Sequence, residues 1–120
     1  MHEAVILSRD LIRCPSVTPA EGGALDLLQS ILEGMGFVCH RLPFSAEGTP
    51  DVDNLYARYG TASPNFCFAG HTDVVPTGPT DAWPVDPFAA ELRDGALYGR
   101  GATDMKSALA AFVCAVQRFL

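Results

Sequence analysis

Three segments with a helical repeat of apolar residues alternate along this chain with short segments that have the pattern of β-strands. The repeat predicts helices over residues 3–13, 18–35 and 103–120. The predicted strands are residues 37–42, 54–59, 65–69 and the two arms of a hairpin over 90–99. Helices that alternate with strands indicate an α/β layer structure.

Local signals set the expected ends of these elements. Pro15 disfavours a helical residue before it and so ends the first helix. Thr18 and Glu21 have the spacing of a capping box, and Pro19 suits a first helical position, so the second helix is expected to begin there. Asp94-Gly95 is a hairpin turn. Residues 70–87 form a long loop, and loops of this length are often functional.

Composition excludes several classes of protein. Hydrophobic residues make up 48% of the chain, which is enough for a packed core. The net charge is −6 and the single lysine is Lys106, so neither a nucleic-acid partner nor an anionic membrane surface is expected. The apolar run over residues 108–116 is too short to span a bilayer. The N-terminus has no signal-peptide pattern, and the four cysteines lack paired spacing, which favours reduced thiols in the cytoplasm.

The first candidate site follows the strand predicted over residues 65–69. His71 and Asp73 lie two residues apart, so they project to the same side of an extended segment. A histidine that binds a metal through one ring nitrogen needs an acceptor on the other, and Asp73 is placed to provide it. The alternative is a partly buried histidine beside an aspartate that caps local backbone.

The second candidate site is the glycine-rich segment before the last predicted helix, with Asp104 in its first turn. Lys106-Ser107 lacks the preceding glycine of a P-loop, and Asp104 stands where a dinucleotide fingerprint has glycine. The glycines therefore favour a sharp turn that projects Asp104 into a site. The alternative is an aspartate that only complements the helix dipole. Histidine and carboxylate together suit Zn²⁺.

Residues 70–76 (GHTDVVP) and 99–106 (GRGATDMK) resemble the two signature blocks of the M20 co-catalytic zinc amidohydrolases. Residues 15–19 (PSVTP) and 53–58 (DNLYAR) agree with the M20 enzymes that act on N-succinyl-LL-2,6-diaminopimelate. The sequence departs from the family at residues 77–79 (TGP), where Pro-Gly-Asp is common, and at Ser107, where glycine is common. Neither departure replaces an expected ligand.

The resemblance implies a role for each candidate residue. His71 would ligate one zinc, Asp104 would bridge two, and Asp73, the catalytic residue expected in this stretch, would hold His71. The peptide bond after Asp104 would be cis. Arg100 and Lys106 would have structural or supporting roles, with an ordinary first-turn lysine as the alternative for Lys106.

The resemblance also implies the fold and the activity. We expect residues 1–120 to be the N-terminal portion of an M20 catalytic domain, with a mixed central sheet flanked by helices. Family members are roughly three times longer, so the general base, the remaining ligands and the dimerisation domain are expected beyond Leu120. The implied reaction is zinc-dependent hydrolysis, with Co²⁺ as a substitute metal, of N-succinyl-LL-2,6-diaminopimelate in lysine and diaminopimelate biosynthesis by a homodimer. The alternatives are removal of another acyl group, such as acetyl, and a non-catalytic truncated product.

Overall fold

The computed structural model describes residues 2–120. Its three α-helices are α1 (Glu3–Arg13), α2 (Ala24–Gly34) and α3 (Ser107–Phe119). Its four strands are β1 (Val38–Arg41), β2 (Leu55–Arg58), β3 (Glu91–Arg93) and β4 (Ala96–Tyr98). A short 3₁₀ turn at Thr80–Ala82 interrupts the long loop between β2 and β3. No helix within residues 2–120 is long and apolar enough to cross a membrane.

The core lies where α1, α2 and α3 meet. Each helix contributes an apolar stripe, as its period requires. The buried core residues are Leu7, Leu11, Ala24, Leu28, Leu109, Ala110 and Val113. Helix α1 is capped by His2, whose Nδ1 accepts a hydrogen bond from the Ala4 amide. The first helix thus has the bounds that the sequence predicts.

The predicted start of the second helix is wrong. The Thr18 amide, which a capping box would pair with the Glu21 carboxylate, donates instead to the carbonyl of Val74. Gly22 and Gly23 then have positive φ angles of 60° and 90°, which a right-handed helix excludes. The helix begins only at Ala24. Glu21 still caps it, because its carboxylate accepts from the amides of Gly23 and Leu25.

The strands form two separate antiparallel pairs. Strand β1 pairs with β2 so that Cys39 lies opposite Ala57, and β3 pairs with β4 so that Leu92 lies opposite Leu97. Asp94 and Gly95, with φ angles of 51° and 77°, make the predicted hairpin turn. The α/β class is confirmed. The predicted mixed central sheet, however, is not formed within residues 2–120, where the one parallel pairing is an isolated bridge between Val17 and Val74.

The strand predicted over residues 65–69 is also absent. No backbone hydrogen bond joins this segment to another in the described part of the chain. Phe66 is 85% exposed and Phe68 is 36% exposed. A strand needs the N–H and C=O groups of a neighbour, and none of the four strands lies alongside this segment. Apolar composition alone therefore gave the wrong assignment.

The last helix begins later than predicted. Asp104 (φ −126°, ψ 93°) and Met105 (φ −139°, ψ 28°) lie outside the helical region, and regular α-helix starts at Ser107. All four cysteines are free thiols. The irregular turn before Ser107 places Asp104 next to the loop that carries His71.

Candidate metal centre

His71 lies in an extended loop that is fastened to the segment after α1. The Val74 amide donates to the Ser16 carbonyl at 2.9 Å, and the Thr18 amide donates to the Val74 carbonyl at 3.1 Å. The Ser16 hydroxyl donates to the Thr72 carbonyl at 2.6 Å. Val74 is buried by this pairing, whereas the His71 side chain points to the surface with 44% of its area exposed. The loop backbone is thus held while its imidazole stays accessible.

Asp104 projects from the glycine-rich turn that the sequence singles out. Gly101 has a φ angle of 83°, a left-handed conformation that favours glycine. The Asp104 side chain is 84% exposed, and the Asp104–Met105 peptide bond is cis, as the family resemblance implies. Met105 packs back on the loop, where its Sδ lies 3.4 Å from the His71 amide nitrogen.

The structure brings His71, Asp73 and Asp104 together. His71 Nε2 lies 2.9 Å from Asp104 Oδ1. On the other side of the ring, Nδ1 lies 3.0 Å from the Asp73 carbonyl oxygen and 3.3 Å from Asp73 Oδ1. Asp73 therefore contacts the ring nitrogen that faces away from Asp104, and its backbone oxygen is nearer than its carboxylate.

This arrangement constrains the protonation of His71. If Nδ1 donates its proton to the Asp73 carbonyl, a neutral ring presents a lone pair at Nε2, toward the Asp104 carboxylate. Two lone pairs at 2.9 Å repel unless a proton or a metal cation lies between them. Partial burial lowers the pKa of His71, but the hydrogen bonds to Asp73 and Asp104 and their charges outweigh it. The pKa of His71 is raised above its ordinary value.

His71 Nε2 and the Asp104 carboxylate have the chemistry of zinc ligands but are too few for a zinc site. Imidazole Nε2 and a carboxylate oxygen are both zinc ligands, and an acceptor on Nδ1 is the usual companion of a zinc-bound histidine. Within residues 2–120, however, no group of three or more His, Cys, Asp or Glu side chains converges on one point. The described residues therefore offer two candidate ligands, fewer than a zinc site needs.

Both candidate ligands line one cavity of about 260 Å³. Arg100 also lines it, and its guanidinium lies 5.2 Å from the centre of the Trp83 ring. Arg100 Nη2 donates to the Pro76 carbonyl at 3.3 Å, and the Arg100 amide donates to the Pro87 carbonyl at 2.8 Å. Arg100 thus holds the long loop at three points next to the cavity.

Lys106 is not an ordinary first-turn lysine. Its side chain is fully buried, and its Nζ donates to the Cys14 carbonyl at 2.8 Å. Burial lowers the pKa of its ammonium group, and the nearby Cys14 partly opposes that effect. A sequence signal was present: Lys106 precedes Leu109, Ala110 and Val113 by three, four and seven positions, which places it on the buried stripe of α3. Ser16, to which the sequence assigns no role, is also fully buried.

Known proteins are similar to this chain in sequence and in fold. Residues 67–120 match the profile of peptidase family M20/M25/M40. Two proteins named succinyl-diaminopimelate desuccinylase, from Rhodospirillum centenum and Parvibaculum lavamentivorans, are 67% and 65% identical over 98% of the chain. An M20 metallo-carboxypeptidase from Sulfolobus solfataricus has a TM-score of 0.82 and 24% identity over 98% of the chain and 27% of its own length.

The chain is similar to M20 peptidases in sequence and in fold. It has the fold of part of an M20 catalytic domain. It spans about a third of the two desuccinylases, 31% and 30% of their lengths. The matched region includes the loop that carries His71 and the turn that carries Asp104, so both candidate ligands lie within it.

Proposed function

We propose that these 120 residues form the N-terminal part of a metal-dependent amidohydrolase of the M20 type. The reaction is hydrolysis of N-succinyl-LL-2,6-diaminopimelate to succinate and LL-2,6-diaminopimelate, in lysine and diaminopimelate biosynthesis. The observation that supports this proposal most directly is the 2.9 Å contact between His71 Nε2 and Asp104 Oδ1, both of which line one cavity. The names of the two relatives at 67% and 65% identity support the choice of substrate.

Each residue has a part in the proposed site. His71 Nε2 and the Asp104 carboxylate would be two of the metal ligands, and Asp104 would serve both ions. Asp73 fixes the imidazole by accepting from Nδ1, which leaves the Nε2 lone pair free for the metal. Zinc, when bound, supplies an activated water and polarises the amide carbonyl. Co²⁺ is the substitute metal.

The remaining parts of the site are proposed to come from outside these residues. They are the general base, the other metal ligands and a dimerisation domain. The complete enzyme is proposed to be a cytoplasmic homodimer with two zinc ions per subunit. The partner is a small-molecule substrate, with no nucleic acid and no membrane. Two ligands cannot hold two zinc ions tightly, so the 120-residue chain alone should bind metal weakly and hydrolyse substrate negligibly.

A chimaera tests the proposal. These residues replace the matching N-terminal segment of the Rhodospirillum centenum desuccinylase, and succinate release is measured with zinc present. The chimaera should turn over the succinyl substrate. His71→Ala and Asp104→Asn should each lower kcat/KM by at least about 1,000-fold, because losing a ligand removes several kcal/mol of transition-state stabilisation.

Matched changes away from the cavity control for folding. His40→Ala and Asp51→Asn alter exposed residues of the same types and should leave kcat/KM within about twofold. Full activity in the His71→Ala chimaera would contradict the proposed ligands. Faster turnover of an N-acetyl than of an N-succinyl substrate would contradict the substrate and favour a different M20 deacylase.

A further inference from the structure

One short segment, residues 14–18, contacts both parts of the candidate metal centre; we call it the anchor segment. Its first contact is with the loop that carries His71. The fully buried Ser16 donates its hydroxyl to the Thr72 carbonyl at 2.6 Å, and backbone hydrogen bonds run from Val74 to Ser16 and from Thr18 to Val74. Thr72 and Val74 lie on either side of Asp73, so the anchor segment holds this loop next to the imidazole.

The second contact is with the turn that carries Asp104. Lys106 extends from the end of this turn across the core, and its ammonium group donates to the Cys14 carbonyl at 2.8 Å. The Lys106 amide also donates to the Gly101 carbonyl at 2.9 Å, across the turn itself. Asp104 therefore lies within a turn whose far end is tied to the same segment as the His71 loop.

The three pieces approach one another closely at two glycines. A Cβ atom on Gly101 would lie 2.6 Å from Val74 Cγ1 and 3.2 Å from Lys106 Cδ. A Cβ atom on Gly22, on the opposite side, would lie 2.8 Å from the Pro15 carbonyl. The anchor segment therefore contacts the segment before α2 as well as the loop that carries His71 and the turn that carries Asp104.

We propose that Ser16 and Lys106 are positioning residues that set the separation of His71 and Asp104. Neither touches the candidate ligands. Each joins one ligand-bearing segment to the anchor segment through a buried side-chain hydrogen bond. This inference rests on the proposed function, because the separation matters if His71 and Asp104 share a metal. Metal ligands tolerate only a few tenths of an ångström of misplacement, so loss of either hydrogen bond should weaken binding.

Cobalt binding tests this inference on the 120-residue chain. Co²⁺ is titrated into the wild type, Ser16→Ala and Lys106→Met, and affinity and the visible spectrum are recorded along with the thermal midpoint. Each variant should bind Co²⁺ about tenfold more weakly and with an altered spectrum, as is typical when a residue that orients ligands is lost. Should Lys106→Met fail to fold, Ser16→Ala decides the outcome.

The chain offers a matched control for the serine. Ser8 is also buried and donates its hydroxyl to a backbone carbonyl, that of Ala4, at 2.6 Å, but it lies inside α1. Ser8→Ala should leave the Co²⁺ affinity within about twofold. Val113→Ala, a core change further along α3, controls for lost stability in Lys106→Met. Wild-type affinity in Ser16→Ala and Lys106→Met, or equal losses in the controls, would overturn the inference.

A metal-free measurement separates this inference from the proposed function. Asp104→Asn should shift the His71 ring resonances in NMR spectra of the metal-free wild-type chain, because the two side chains touch. The shift should shrink in the Lys106→Met and Ser16→Ala backgrounds. If the His71→Ala chimaera keeps full activity, the proposed function fails, and this metal-free measurement still tests the positioning roles of Ser16 and Lys106. If Asp104→Asn shifts the His71 ring resonances as much in both backgrounds as in the wild type, the inference that Ser16 and Lys106 are positioning residues is overturned.

Discussion

Two neighbouring stretches, residues 65–69 and residues 72–74, are held in different ways although both lie in the segment between β2 and β3. Residues 65–69 are the more apolar, yet Phe66 is 85% exposed and no backbone hydrogen bond joins the stretch to another segment within residues 2–120. Residues 72–74 include two polar residues, yet Val74 is only 4% exposed and its amide and carbonyl are both paired with the anchor segment.

The difference shows what holds an extended segment in place. Aromatic and apolar side chains favour strand conformation, but the backbone groups of a strand also need partners. Residues 72–74 have partners in Ser16 and Thr18. Residues 65–69 have side-chain contacts in their place: Phe68 stacks on Phe112 with ring centroids 4.1 Å apart. Stability should therefore respond to changes in residues 72–74 and their neighbours far more than to changes in residues 65–69.

The largest effect is expected at Gly101, which packs directly on Val74. Gly101→Ala should lower the free energy of unfolding by about 3 kcal/mol, because φ is 83° and the new Cβ would lie 2.6 Å from Val74 Cγ1. Gly48 has a similar φ of 79° with nothing within 4 Å, so Gly48→Ala should cost only about 1 kcal/mol. Urea unfolding measures both. Equal losses would mean that the contact with Val74 contributes nothing.

A middle-sized effect is expected at Val74 itself. Val74→Ala removes two buried methyl groups and should cost about 2 kcal/mol. The adjacent Val75 is 62% exposed, so Val75→Ala should change the free energy of unfolding by no more than about 0.5 kcal/mol. Urea unfolding of the two single variants makes the comparison within one dipeptide. A larger loss of unfolding free energy in Val75→Ala than in Val74→Ala would contradict the burial of Val74 and the exposure of Val75.

The smallest effect is expected in residues 65–69. Phe68→Ala should cost about 1 kcal/mol, because it removes one stacked aromatic pair at the surface. Phe66→Ala should lower the free energy of unfolding by no more than about 0.5 kcal/mol, because the Phe66 ring centroid lies 6.4 Å from that of Phe112. Thermal unfolding with matched denaturant curves resolves the order. A loss at Phe66 as large as that at Val74 would show that residues 65–69 are as firmly held as residues 72–74.

Much of the fold could be predicted because its signals are local. The bounds of α1 follow from its apolar repeat and Pro15, and the Asp94-Gly95 turn follows from the backbone freedom of its residues. The strands β1 and β2 lie within their predicted ranges. The candidate residues His71, Asp73 and Asp104 were chosen by residue type and spacing, and the structure places them within hydrogen-bonding or ion-pair distance of one another, with His71 between the two aspartates.

The errors arose where a distant segment overrides a local signal. Thr18 has the right spacing for a capping box, but its amide pairs with Val74, 56 residues away. Residues 65–69 have strand composition, but no neighbouring strand accompanies them in residues 2–120. Lys106 would be solvated on an isolated helix. In the folded chain it is buried, and its ammonium group donates to the Cys14 carbonyl at the end of α1.

The sequence by itself therefore determined the class of the fold, the bounds of the simplest elements and the residues that could bind a metal. Each of these depends on periodicity, turn chemistry or ligand type, which can be read from neighbouring residues. Only the tertiary structure decided that Cys14 and Ser16 hold the segments that carry His71 and Asp104, and that the Lys106 side chain is buried. Those contacts join residues 56 and 92 positions apart, and their stability depends on burial that exists only after the helices have packed.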